Sequence, residues 1–185
     1  MFIMMPFISN ANTTDDLTKE QEKELEALVE HSADVSIDIL DADEKKAEEP
    51  IYDDEGNKIG VMGVEEVNRE DVDNGDIGTQ QTVPTGQNVT YNVYWYAATV
   101  NYWFDMTVYV DPSTGLGEVV RAFDANYIVI PPGIVGSSSL DIIQQQETSS
   151  TPAEARYTLS MSAPVSTNMW IYGQVSNGTF TTGAN

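Results

Sequence analysis

From Val100 to Val110 the chain alternates without a break. Val100, Tyr102, Phe104, Met106, Val108 and Val110 are apolar or aromatic, and Asn101, Trp103, Asp105, Thr107 and Tyr109 fill the places between them. Successive side chains of a strand point to opposite faces, so this period of two turns one greasy face toward a core and pins the register. The second face is mixed, with Trp103 and Tyr109 beside Asn101 and Asp105. The arm before it is aromatic on both sides: Tyr91 and Trp95 share one face, Tyr94 and Tyr96 the other. Such an arm is either buried on both sides or carries a ring platform on one.

The same habit recurs downstream. Tyr157, Leu159, Met161 and Ala163 alternate with Thr158, Ser160 and Ser162. Met169, Ile171 and Val175 share a face through Gly173, leaving Trp170, Tyr172 and Gln174 on the other. Turn chemistry separates these runs. "IYDDEGNKIG" reads as a hairpin in which Gly56 takes positive φ cheaply. "VPTG" (83–86), "DPSTGLG" (111–117) and "PPGIVGSSS" (131–139) read as turns. Asn88 and Asn177 head N-x-T sequences that match a glycosylation sequon, and both are read as turn and strand residues. Strands spaced by about 8 to 12 residues, with no helical period after Ile51, predict an all-β, antiparallel β-sandwich of immunoglobulin-like or jelly-roll-like type.

The region before Ile51 has another character. Residues 1–11, "MFIMMPFISNA", form a short apolar run followed by Ser9 and Ala11 at the spacing of a signal-peptidase site. No Lys or Arg precedes the run, so the usual basic start of a signal peptide is missing; the run reads as a truncated signal-peptide remnant, the alternative being an apolar N-terminal strand of the fold, and a secreted or cell-surface location is expected. It is far shorter than the roughly 20 apolar residues of a membrane span. Residues 12–49 read as an acidic helical or disordered segment. Thr18 and Gln21 form a capping-box pattern, and Leu25, Leu28 and Val29 make a narrow helical stripe. Val35, Ile37 and Ile39 alternate as a strand would. "DADEKKAEEP" (41–50) reads as linker. The sandwich domain is expected over 50–185.

Of 185 residues, 30 are acidic and 8 basic, a net charge of −22. Residues 1–76 hold 23 acidic and 6 basic side chains, net −17, and the rest only −5. Nucleic-acid affinity rests on Lys and Arg contacts that release counterions, so this chain repels phosphate backbones. It repels anionic membrane surfaces for the same reason. Cations, cationic proteins and neutral glycans are the partners the charge allows. The chain has no cysteine and one histidine, His31. Thiol nucleophiles, Ser–His pairs and cysteine-type zinc sites are therefore not expected.

The order and spacing of "IYDDEGNKIGVMGVEEV", "YNVYWYAATVNYWFDMTVYV", "ANYIVIPP", "PAEARYTLSMSAP" and "MWIYGQVSNG" resemble an uncharacterised family of secreted Gram-positive bacterial proteins, a domain of unknown function. The likeness covers residues 51–179. It implies an exported β-sandwich with a signal peptide, and it implies no catalytic residues.

Three candidate sites follow from the residues themselves. Trp103, Tyr109, Trp170 and Tyr172 are ring side chains suited to stacking on a glycan; the plainer alternative is that they cover the second face or pair across strands. Asp71, Asp73, Asn74 and Asp76 place four side-chain oxygen donors within six residues, a start toward a Ca²⁺ site, or simply an acidic turn. Gly75 stands at position 5 and no Glu follows at position 12, so the EF-hand pattern is not met. Asp105, Asp124, Asp141 and Glu147 are carboxylates from which a glycan-processing pair would be drawn. The reading is a non-enzymatic binding or structural module. The alternatives are a carboxylate-dependent glycan-processing enzyme and an inhibitor or immunity-type protein whose acidic segment engages a cationic partner.

Overall fold

The computed structural model describes Lys19 and residues 34–38, 45–53, 55–71, 86–131, 133–163 and 166–184. Within these described residues lie ten strands: β1 (Asp34–Asp38), β2 (Lys46–Tyr52), β3 (Lys58–Asp71), β4 (Gln87–Ala97), β5 (Val100–Val110), β6 (Gly117–Val129), β7 (Ile134–Gln144), β8 (Ala153–Ala163), β9 (Thr167–Ser176) and β10 (Thr179–Ala184). They form two five-stranded sheets, in the orders β2-β3-β4-β5-β6 and β1-β10-β9-β8-β7. Every paired neighbour is antiparallel.

The expected sandwich is present, and its wiring is simpler than an immunoglobulin or jelly-roll pattern. Both of those use Greek-key connections. Here β2 to β6 and β7 to β10 are meanders in chain order, with β1 completing the second sheet beside β10. Short connections enforce this. The β9–β10 turn is Asn177-Gly178, with φ of 50° and 77°, the two positive values a type I′ hairpin turn requires. In the β2–β3 turn the Asp53 carboxylate accepts the backbone N–H groups of Glu55 (3.0 Å) and Asn57 (2.7 Å). Gly56, at φ 81°, completes that turn.

The alternation of β5 is realised residue by residue: Val100, Tyr102, Phe104, Met106, Val108 and Val110 are all buried. Tyr91, Val93 and Trp95 of β4 join them from the same sheet, and Ala155, Tyr157, Leu159, Met169, Ile171, Val175 and Phe180 face them from the other. Each large side chain so buried contributes roughly 1.5–3 kcal/mol of transfer free energy. Rings cross the interface: Tyr91 meets Phe180 at 4.5 Å between centroids, and Tyr157 meets Tyr102 at 6.3 Å and Phe104 at 6.5 Å. Gly173 lets the sheets approach, because a Cβ there would stand 2.7 Å from Phe180 Cζ and 2.8 Å from Met106 Sδ.

Two expectations are corrected. Residues 46–50, read as linker, belong to β2, and 34–38 form β1 as the alternation of Val35 and Ile37 suggested. β2 is an edge strand, where charge and proline are tolerated and even protective. Its charged residues therefore mimicked a linker. Likewise residues 134–139, read as turn, lie in β7. Their serines pair across to β8, Ser137 with Ser160 and Ser139 with Thr158, on a polar outer face. The helix expected within 12–49 falls outside the described residues except for Lys19, and so does the apolar run 1–11.

Candidate functional site

The outer face of the β2–β6 sheet collects aromatic and polar side chains in register. One row runs Pro50, Val61, Tyr96, Asn101 and Ile128 across all five strands. The next row runs Glu48, Gly63, Tyr94, Trp103 and Asn126. A third holds Lys46, Glu65, Asn92 and Asp105.

Gly63 organises the middle row. Without a side chain there, Tyr94 lies across β3, and its hydroxyl donates to the Glu48 carboxylate on β2 at 2.6 Å. A Cβ on Gly63 would stand 2.7 Å from that hydroxyl. Tyr96 stacks on Tyr94 at 4.7 Å and 17°, and Trp103 meets Tyr96 edge-on at 6.1 Å and 65°. On its other side the Tyr94 ring faces the Lys46 ammonium at 5.8 Å. Tyr94 is thereby 3% exposed, whereas Tyr96 stands 40% exposed.

The polar rim is tied together. Lys46 bridges Glu48 at 3.0 Å and Glu65 at 3.4 Å, and Asn92 donates to Asp105 at 2.7 Å. The hydrogen bond from Tyr94, and then the one from Lys46, hold the Glu48 carboxyl below its ordinary value. Burial, then the hydrogen bond to Glu48, pushes the Tyr94 phenol well above its ordinary value. The hydrogen bond to Glu48 likewise raises the Lys46 ammonium. The result is a half-exposed ring, backed by a second ring held in place, with amide and carboxylate groups around it. Such a surface can stack on an apolar sugar face and hydrogen-bond its hydroxyls.

The four ring residues singled out by sequence do not assemble into one platform. Trp103 and Tyr109 lie on the outer face of β5, six residues apart, about 20 Å at the rise of a strand. Tyr109 packs on Gly86, where an added Cβ would collide with its ring. Trp170 and Tyr172 lie on the outer face of β9, on the opposite side of the sandwich. Arg156 stands over the Trp170 ring at 5.6 Å, itself held by Glu154 at 2.6 Å. Only Trp103 of the four belongs to the Tyr94–Tyr96 cluster. The signal for that cluster was present in the two-faced aromatic arm at 91–97; what the sequence lacked was the order of the neighbouring strands, β3 supplying Gly63 and β2 supplying Glu48.

The carboxylates are dispersed. Asp105 is on the outer face of the first sheet, and Asp141 is on β7, paired in register with Arg156 on the outer face of the second. Asp124 sits at a bulge in β6 with φ 52°. Glu147 is buried where the sheets meet. It accepts the Gly117 N–H at 2.7 Å, the Ser176 hydroxyl at 2.9 Å and the Asn177 N–H at 3.0 Å. All these donors come from the protein itself, so Glu147 is a structural clamp between the start of β6 and the β9–β10 turn. Of the suggested Ca²⁺ ligands, Asp71 ends β3, and Asp73, Asn74 and Asp76 lie outside the described residues. Among the described residues no group of three or more acidic or histidine side chains is placed to hold a metal, and no helix is long and apolar enough to cross a membrane.

Fold and face together define a two-sheet antiparallel meander sandwich with an aromatic outer surface. No protein-family model matches the chain, and no curated protein does. Among solved structures, it is similar to a hypothetical protein of Listeria monocytogenes, with 23% identity over 76% of this chain and 95% of that one, at a TM-score of 0.44.

Proposed function

We propose that this is an exported, non-enzymatic binding module that takes a neutral glycan on the outer face of the β2–β6 sheet. The observation that carries this reading is the Tyr96 ring, exposed yet braced by Tyr94 and Trp103. An exposed aromatic side chain held rigid by its neighbours loses little conformational entropy when a ligand stacks on it. A net charge of −22 disfavours anionic ligands, and a neutral glycan is among those it allows. The apolar run at 1–11 and the resemblance to secreted Gram-positive proteins support export. The opposite face is the weaker candidate, because Arg156 occupies the ring of Trp170. Two-carboxylate hydrolysis is disfavoured because Glu147 spends its oxygens on the protein's own donors.

The test is retention on immobilised neutral polysaccharides, with Tyr96→Ala and Trp103→Ala beside the unaltered protein. Loss of retention in both variants, with unchanged circular dichroism, is expected. Retention that survives both substitutions removes this face from consideration.

A further inference from the structure

The residues beside Tyr96 narrow the kind of sugar that this face fits. Tyr96 on β4, Asn101 on β5 and Ile128 on β6 stand in register, with neighbouring strands about 4.8 Å apart. The next row sets Asn126 on β6 beside Trp103 on β5. Both asparagines are oriented by the backbone. Asn101 Oδ1 accepts the Ala97 N–H at 3.0 Å, and Asn126 Oδ1 accepts the Tyr127 N–H at 2.8 Å. An amide that spends its oxygen on the protein has its –NH2 left to offer, a pure donor. Neither nitrogen has a hydrogen-bond partner among the described residues, and neither is buried. Ile128, at 56% exposed, is more open than Tyr96 itself.

We infer that this face takes a glycan built of N-acetylated amino sugars, with one sugar ring stacked on Tyr96, its acetamido oxygen accepting from Asn101 and its acetyl methyl resting on Ile128. The inference rests on the glycan reading of the same face and adds the substrate class. A stacking ring alone suits the apolar face of any sugar. A pure donor flanked by an open apolar side chain asks for more: an acceptor oxygen with an alkyl group attached. A sugar hydroxyl brings the acceptor without the alkyl group. A free ammonium brings donors to face donors, and no alkyl group. An acetamido group brings both parts, since its carbonyl accepts and its methyl covers apolar surface. Acetylation also removes the ammonium charge, which keeps the ligand neutral.

The experiment uses the full chain and three β-linked trisaccharides that differ only at carbon 2: those of N-acetylglucosamine, glucose and glucosamine. Affinities are measured by calorimetry in about 150 mM salt, which screens the protein's charge beyond about 8 Å. The N-acetylglucosamine trimer is expected to bind at least about tenfold more tightly than either of the others. A nuclear Overhauser contact should join its acetyl methyl protons to the Ile128 methyls. Asn101→Asp keeps the acceptor for the Ala97 N–H and loses the donor, and Ile128→Ser loses the apolar contact at an exposed position. Each should cut the preference for the acetylated trimer to about twofold or less, with unchanged circular dichroism. Equal affinity for the glucose trimer, tighter binding of the glucosamine trimer, acetyl contacts away from Ile128, or a preference that survives both substitutions would each overturn the inference. A glucose trimer bound as tightly at Tyr96 would leave the glycan reading standing and end this one, whereas no binding of any trimer would end both.

Discussion

The Tyr94 hydroxyl reaches over the bare backbone of Gly63 to the carboxylate of Glu48, 2.6 Å away and two strands across. This contact fastens the edge strand β2 to the centre of its sheet. It also fixes the ring on which Tyr96 rests. Stability and the candidate binding face thus share one hydrogen bond.

Removing that bond should loosen both. Tyr94→Phe keeps the ring and loses the donor, and it is expected to cost about 1 kcal/mol in denaturant unfolding. Glu48→Gln keeps the shape with a weaker acceptor and should cost less. If the two losses simply add in the double variant, the pair is not coupled as described.

The contribution of this pair should depend on pH at both ends. Glu48 titrates below its ordinary 4.5 in the folded protein, so its contribution is present above 4.5 and is lost as pH falls through the depressed value. Tyr94 titrates above its ordinary 10.0, so its contribution is complete below 10.0 and fades as pH rises toward the raised value. The stability difference between the unaltered protein and Tyr94→Phe should therefore be flat between 4.5 and 10.0 and shrink below and above that range. A difference independent of pH down to 2 would contradict the assignment.

Glu147 should matter more to stability than any exposed carboxylate. Glu147→Ala orphans the N–H groups of Gly117 and Asn177 and is expected to cost about 3 kcal/mol. Glu147→Gln keeps one acceptor oxygen and should cost roughly half as much by the same reasoning. Thermal unfolding of the two variants decides it; equal and negligible losses would free Glu147 for another role.

The close approach of the sheets makes Gly173 intolerant of growth. A methyl group there presses on Phe180 and Met106, so Gly173→Ala should destabilise by about 1–3 kcal/mol, with unfolding kinetics accelerated. Gly178→Ala, at φ 77° in the β9–β10 turn, should cost about 1 kcal/mol for a different reason, the left-handed backbone.

Much of the sandwich was legible because its strands bury one face and bare the other. Val100 to Val110 declared in full which side chains face the core. β2 and the start of β7 were illegible for a common reason. Both strands are sheet edges whose exposed residues are charged or small: Lys46, Glu48 and Glu49 in one, Ser137 to Ser139 in the other. In sequence such residues resemble linker and turn. The candidate face was half legible. Trp103 belongs to it, but Trp170 and Tyr172 turned out to be across the molecule, because alternation says which residues share a strand face and not which strands share a sheet. Glu147 shows the same limit, since a buried clamp and a catalytic acid are the same letter until their hydrogen-bond donors are known.

The most direct test of the account is to map a soluble neutral oligosaccharide onto the protein by amide and indole chemical shifts. Shifts concentrated on Tyr96, Asn101, Trp103 and Ile128, with Trp170 and Tyr172 unmoved, are the predicted result. Shifts gathered around Trp170 and Tyr172, or none at saturating sugar, would contradict it.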